Sequence, residues 1–227
     1  MTTTQNITTH KGPPLAGVAG IFTLLFLLAI ILSRILTHGA PFPMPYGNPW
    51  HSQQYFLSFA STVRLSGFLQ LGSAIALGIY TASVTSRLRF LGVTASGPQI
   101  ALFGGIASSI FLAFSGMMTW VLSQPDMANT FDTMRGLQLM GFIAGGVAHT
   151  AALGLLVAGI AVPSLILGHL PKGWAAAGIV IAVVCELCTL SMVLPPLSVL
   201  IPLGRFSAMV WVIVAGALLP RRQVGQA

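Results

Sequence analysis

Six long apolar stretches constrain this chain more than any other feature of its sequence. A helix needs about 20 apolar residues to cross the roughly 30 Å hydrocarbon core of a bilayer. The predicted spans are Leu15 to Arg34, Ser66 to Ser86, Pro98 to Trp120, Gly141 to Pro163, Gly173 to Pro195 and Ile201 to Pro220. None of them alternates apolar and polar residues as barrel strands do. The sequence therefore predicts an all-α polytopic membrane protein with six transmembrane helices in a compact bundle.

The composition excludes a water-soluble fold. Apolar residues make up 55% of the chain and charged residues only 6%, whereas a soluble domain carries about a quarter of its residues charged. We therefore expect a membrane domain at 15–220 between cytoplasmic tails at 1–14 and 221–227. The second and fourth apolar patterns run on at their early ends, which predicts helical extensions near 54–65 and 132–140.

The basic residues predict the orientation of the bundle. Six of them fall on one side of the predicted spans: Lys11, Arg87, Arg89, Lys172, Arg221 and Arg222. Positive residues in tails and short connections mark the cytoplasmic side, so we expect a cell inner membrane with both termini cytoplasmic. The basic residues form no cluster, and this argues for the lipid bilayer as partner and against nucleic acid. On the opposite side, His38 to His51 is a proline-rich loop, either a simple connector or a stiff flap.

Two sequence patterns bear on how the helices assemble. Each even-numbered span has an arginine near its outer end, Arg64, Arg135 and Arg205, spaced 71 and 70 residues apart, which suggests three helix hairpins of the same sense. Gly141 and Gly145 form a GxxxG motif in the fourth span, and small residues four apart allow helices to approach closely. We expect this span at the centre of the bundle or, alternatively, at a homo-oligomer contact.

Five polar residues from five spans lie at one predicted depth. Counting about 1.5 Å per residue from the cytoplasmic ends puts them all roughly 20 to 25 Å into the membrane: Gln70, Ser115, His149, Glu186 and Arg205. Embedded ionisable residues usually face the bundle interior and have a partner. The five are therefore predicted to converge on an outward-facing cavity, with Glu186 as the counter-ion of Arg205.

The charges of this layer favour an anionic ligand. Arg205 is embedded, Arg64, Arg135 and Arg34 lie at the outer rim, and Glu186 is the one acid inside any span, so the summed potential attracts anions. The leading hypothesis is binding or transport of a small anionic or amphiphilic molecule by the layer together with Arg64 and Arg135. Three alternatives stay open: polar glue between helices, a non-catalytic partner subunit, or an enzyme acting on lipid or quinone.

For the enzyme hypothesis, Glu186 and His149 would supply acid–base chemistry. Cys185 and Cys188 form a CxxC pair deep in the fifth span. Redox pairs usually stand at a helix start beside water, so two small core residues are the favoured interpretation. His149 is the only embedded histidine, which disfavours a haem held by two histidines. We expect no metal and no cofactor.

Overall fold

The computed structural model describes residues 7 to 224, and within that range the chain is almost entirely helical. Nine α-helices follow one another in this described part of the chain: α1 Leu15–Leu36, α2 Pro49–Ser58, α3 Ala60–Phe90, α4 Gly97–Leu122, α5 Pro125–Asn129, α6 Phe131–Phe142, α7 His149–Leu167, α8 Lys172–Leu187 and α9 Leu200–Leu218. A π-helical segment, Ile143–Ala148, joins α6 to α7, and two 3₁₀ turns, Cys188–Met192 and Pro195–Val199, join α8 to α9. Residues 1–6 and 225–227 of the predicted tails lie outside the described residues.

Six helical stretches are long and apolar enough to cross a membrane, which confirms the predicted fold class. They are Leu15–Leu36, Ala60–Phe90, Gly97–Leu122, Phe131–Leu167, Lys172–Met192 and Pro195–Leu218. The second and fourth exceed the thickness of the hydrocarbon core at about 1.5 Å per residue, in agreement with the predicted extensions. Helix α2 directly precedes the second stretch, and the helical conformation is interrupted at Phe59 between α2 and α3.

The two ends of the described chain meet on one side of the bundle, called here the termini side. Strand β1, Ile7–Thr9, pairs antiparallel with β2, Arg222–Val224. The His10 amide continues the pairing by donating to the Arg221 carbonyl over 2.9 Å. The opposite end, which carries α2, α5 and the proline-rich loop, is called the far side.

Helix α4 packs between α3 and α7, and glycines set both contacts. A Cβ on Gly67 would lie 2.7 Å from the Gly116 carbonyl oxygen, and one on Gly104 would lie 2.7 Å from the Ala152 carbonyl oxygen. Lipid supplies no hydrophobic drive for helix association, so such close backbone approach provides the van der Waals contact that holds the bundle together. The large hydrophobic core lies around these helices together with α1, α8 and α9.

The two glycines of the GxxxG motif pack against another helix of the same chain. A Cβ on Gly145 would clash with the Ser115 side chain of α4, and one on Gly141 would lie 3.5 Å from the Met118 Cβ. These two glycines therefore pack the fourth span against α4, as expected of a span at the bundle centre. The face that they share with α4 is occupied by a helix of the same chain, and the alternative, a homo-oligomer contact through these glycines, stays a prediction.

Candidate functional site

A cavity of about 590 Å³ opens at the far side of the bundle. Helices α1, α3, α4, α6 and α9 and the π-helical segment form its walls, and residues 40–45 of the proline-rich loop form its roof. We call it the main cavity. Its polar lining residues are Ser33, Arg34, Ser66, Gln70, Ser115, Thr119, Gln138 and Arg205. The remaining lining is apolar, including Phe26, Ile30, Phe42 and Leu112.

Arg205 of α9 is the charged group at the deep end of the main cavity. Its Nη2 donates to the carbonyl oxygens of Gly145 and, over 3.2 Å, of Gly146, and lies 3.4 Å from the Thr150 hydroxyl. Its Cζ lies 5.2 Å from the centroid of the Phe26 ring, a cation–π distance. The Nε group is buried and has no hydrogen-bond partner among the described residues.

The π-helical segment explains why carbonyl groups are offered to Arg205 at this depth. An inserted residue disturbs the regular i to i−4 ladder, and such π-bulges occur frequently at functional sites. Two adjacent glycines occupy the segment, so no side chain separates its backbone from α4 or from the guanidinium. Among the described residues, the hydrogen-bond partners of the Arg205 guanidinium are therefore all neutral dipoles.

The predicted ion pair between Glu186 and Arg205 is wrong. Within residues 7 to 224, no carboxylate accepts a hydrogen bond from the guanidinium, and Glu186 is exposed on the surface of α8. Its Oε1 lies beside α7, 3.3 Å from where a Cβ on Gly154 would be. Counting residues along a helix gives the depth of a side chain in the membrane but not the direction in which it points. Cys185 of α8 and Cys188 of the following 3₁₀ turn are buried instead.

Gln70 and Ser115 reach the main cavity at the depth of Arg205. On α3, the Ser66 hydroxyl donates to the Ala29 carbonyl over 3.2 Å and the Ser73 hydroxyl donates to the Phe22 carbonyl over 2.8 Å. Gln70 stands between these two contacts, and therefore at the height of Phe26 and Arg205. Its Oε1 is buried and has no partner among the described residues.

Ser115 belongs to the same level because it packs against Gly145, whose carbonyl Arg205 binds. Its hydroxyl donates to the Gly141 carbonyl over 2.9 Å. Three of the seven predicted ligand-binding residues, Gln70, Ser115 and Arg205, are thus brought together at the floor of the main cavity.

His149 lies behind the cavity and does not line it. The residue is fully buried, its Nδ1 lies 2.8 Å from the Ser108 hydroxyl, and its ring stacks on Phe26 with centroids 6.4 Å apart. Phe26 therefore contacts both His149 and Arg205. Because Glu186 also stays outside the cavity lining, neither residue named for acid–base chemistry faces this cavity.

Arg64 and Arg135 stand on the far side outside the lining of the main cavity. Arg64 Nε lies 3.4 Å from the Ser123 hydroxyl, and Arg135 Nη1 lies 3.4 Å from Gln138 Oε1. Arg135 thus contacts Gln138, which lines the cavity, without lining the cavity itself. The three regularly spaced arginines have three different environments, so their spacing does not translate into one repeated role.

The roof and the mouth of the main cavity include Gln138, which the sequence did not indicate as a cavity residue, and Arg34, which was predicted at the outer rim. Gln138 is buried, and its amide donates to the Pro43 carbonyl and to the Ser52 hydroxyl, each over 3.1 Å. It therefore ties the proline-rich loop and α2 to α6. Arg34 lines the main cavity and is exposed, so it stands at the mouth. The spacing of Phe26, Ala29 and Ser33 at helical intervals was the signal for this face of α1.

A second cavity, of about 540 Å³, lies on the other face of the proline-rich loop. Residues 40–44 line both cavities, and α2 contributes His51, Ser52 and Tyr55 to the second one. Burial raises the pKa of Tyr55, against the opposing effects of a Thr37 hydrogen bond and the Arg34 charge. The loop is therefore a partition between two hollows, which a simple connector would not require.

The described residues hold no cluster of three or more His, Cys, Asp or Glu side chains that could bind a metal ion. Among residues 7 to 224, no carboxylate lines either cavity. What the main cavity offers is a buried guanidinium, a primary amide and hydroxyl groups within apolar walls. Comparisons of the chain with protein-family models, with curated proteins and with solved structures found no match.

Proposed function

We propose that this chain, with its main cavity, binds a small anionic amphiphile and carries it across a cell inner membrane. The observation that carries the proposal is the Arg205 guanidinium at the floor of the cavity, partnered by carbonyls and an aromatic ring but by no carboxylate. An uncompensated charge in a low-dielectric interior is costly. An anionic ligand group would offset that cost and gain a charge-assisted hydrogen bond.

The walls of the cavity support an amphiphile over a small hydrated anion. Phe26, Ile30, Phe42 and Leu112 surround the path from the floor to the mouth, and apolar lining of this kind favours burial of a hydrocarbon body. The volume of about 590 Å³ falls in the range of drug-sized ligands. One anionic group on an apolar body therefore matches both the charge and the lining.

The orientation follows from the basic residues of the termini side. Lys11, Arg87, Arg89, Lys172 and Arg221 belong to that end of the bundle, whereas Asp126 and Asp132 belong to the far side. By the positive-inside rule, the termini side is cytoplasmic and the main cavity faces outward. The bound amphiphile would then be taken up from, or released to, the outer side.

Three ligands with the same chain and different head groups test the binding. We would measure binding of octanesulfonate, octanol and octyltrimethylammonium to the purified protein in zwitterionic nanodiscs. We expect octanesulfonate to bind at least tenfold more tightly than the other two, because charge-assisted hydrogen bonds contribute about 1.5 to 3 kcal/mol. Arg205→Gln should remove this preference, and Arg205→Lys should retain part of it.

Arg64→Gln is the matched control, because it removes one far-side positive charge without touching the cavity lining. Flux of octanesulfonate into proteoliposomes, a permanently charged probe that crosses lipid slowly, tests carriage in the same variants. Equal affinity for the cationic analogue, or unchanged binding in Arg205→Gln, refutes the proposed ligand class. Tight binding without flux restricts the function to binding.

A further inference from the structure

The main cavity has a cationic group at each end. Arg205 stands at the floor beside Phe26, and Arg34 stands at the mouth on the same continuous helix, α1. Phe26 and Arg34 are eight residues apart, which corresponds to about 12 Å along the helix axis at 1.5 Å per residue. Two positive charges therefore mark the two ends of the hollow.

Between these two charges, α1 presents to the cavity either apolar side chains or a hydroxyl group that already has a hydrogen-bond partner. Ala29 and Ile30 line it from α1, and the hydroxyl of Ser33 is bonded to that of Ser66. No carboxylate lines the cavity among the described residues. A ligand with one anionic group would neutralise one end and leave the other cation facing its hydrocarbon body.

Resting on the proposed function, we infer that the ligand is an amphiphile with an anionic group at each end of an apolar spacer. One anionic group binds at Arg205 and Gln70, and the other binds Arg34 at the mouth. The rise of about 12 Å between Phe26 and Arg34 along α1 sets the scale of the spacing. Eight methylene groups between two sulfonates span a comparable distance, because each extended carbon–carbon bond of about 1.5 Å advances the chain by less than its length and the two carbon–sulfur bonds add to the span. The cavity then selects its ligand by the separation of two charges as well as by their sign.

The experiment compares three probes in the same nanodiscs: octanesulfonate, the octanedisulfonate that carries one sulfonate at each end, and the equivalent butanedisulfonate. We expect the octanedisulfonate to bind about fivefold more tightly than octanesulfonate, the upper range for an ion pair with an exposed arginine. Butanedisulfonate should bind less tightly than either, because it cannot reach both arginines and has less apolar surface.

Two variants separate this inference from the proposed function. Arg34→Gln should lower the affinity for octanedisulfonate to that for octanesulfonate and leave octanesulfonate binding unchanged. Arg64→Gln, another exposed far-side arginine, should preserve the difference between the two probes. Arg205→Gln should weaken both probes at least tenfold.

If octanedisulfonate binds no better than octanesulfonate, or if Arg64→Gln abolishes the advantage as fully as Arg34→Gln does, the two-ended ligand is refuted. Binding of octanesulfonate that still depends on Arg205 would then leave the proposed function standing. Failure of all three probes to bind refutes the two-ended ligand, and loss of Arg205-dependent octanesulfonate binding also counts against the proposed function.

Discussion

Replacement of Gly145 by alanine tests the contact on which the floor of the main cavity depends. A Cβ at this position would overlap the Ser115 hydroxyl and lie 2.5 Å from the Ser115 Cβ. To relieve the overlap, α4 must move away from the π-helical segment or Ser115 must rotate and lose its bond to the Gly141 carbonyl. A shift of the π-helical segment would also displace the Gly145 carbonyl that Arg205 binds.

The expected change in the free energy of unfolding has two destabilising contributions and one stabilising contribution. Overpacking costs about 1 to 3 kcal/mol, and loss of the Ser115 hydrogen bond costs about 0.5 to 1.5 kcal/mol. Alanine recovers up to about 1 kcal/mol over glycine in a helix. Together these contributions amount to a loss of about 0.5 to 4.5 kcal/mol, and we expect Gly145→Ala to lower the free energy of unfolding by about 2 to 3 kcal/mol.

Gly146 is the matched control, because it is the adjacent glycine of the same segment. A Cβ there would meet the Phe142 ring at 3.6 Å and Ile201 at 3.8 Å, which are ordinary van der Waals contacts. Gly146→Ala should change stability by less than about 0.5 kcal/mol or increase it. The free energies come from equilibrium unfolding in mixed micelles of a mild detergent and dodecyl sulfate.

A second substitution distinguishes the local clash from a general effect on the helix. Ser115→Gly removes both atoms that the new Cβ would meet, so it should restore at least about 1 kcal/mol in the Gly145→Ala background, as expected for residues in contact. Equal stabilities of the two alanine variants, or strictly additive effects of the Ser115 and Gly145 substitutions, would refute the close-packed floor.

Two further predictions concern the ends of the bundle. On the termini side, burial and the Arg87 charge lower the pKa of His10 from its ordinary 6.5; its neutral Nδ1 also accepts from Arg87 Nε over 3.3 Å. Because the native pKa is lowered, neutral His10 contributes stability to the pairing of β1 with β2 that is fully present above about pH 6.5 and is lost as the pH falls through the native value. Hydrogen exchange of residues 7–10 should detect this loss of protection, and His10→Asn should remove its pH dependence. On the far side, Gln138→Ala removes the bonds that hold the proline-rich loop and should accelerate binding and release of octanesulfonate together. Gln53→Ala removes two hydrogen bonds from the Gln53 side chain of α2 to backbone carbonyls of α5 and should leave both rates unchanged. Equal effects of the two variants would contradict the role of the loop as a partition between the two cavities.

The depth of each side chain in the membrane could be predicted from the sequence alone, because depth depends on properties of neighbouring residues along the chain. The mean hydropathy of about 20 residues marks a span, and each residue adds about 1.5 Å along its helix. This reasoning identified six helices, and it placed Gln70, Ser115 and Arg205 at one height, where the structure brings them together. It needed no knowledge of which helices are neighbours.

Only the tertiary structure decided whether a given side chain points to the lipid or to the interior of the bundle. In a soluble protein, an apolar stripe tells which face is buried, but lipid and the bundle interior are both apolar, so this signal is weak in a membrane span. Glu186 was therefore predicted to point inward, although α8 buries Cys185 and the following 3₁₀ turn buries Cys188 instead. The glycines of the π-helical segment, whose carbonyls replace a carboxylate as partners of Arg205, owe their role to close packing against α4 and α9. That packing depends on contacts between residues that are distant in the chain. Such contacts cannot be predicted from the properties of a short stretch of sequence.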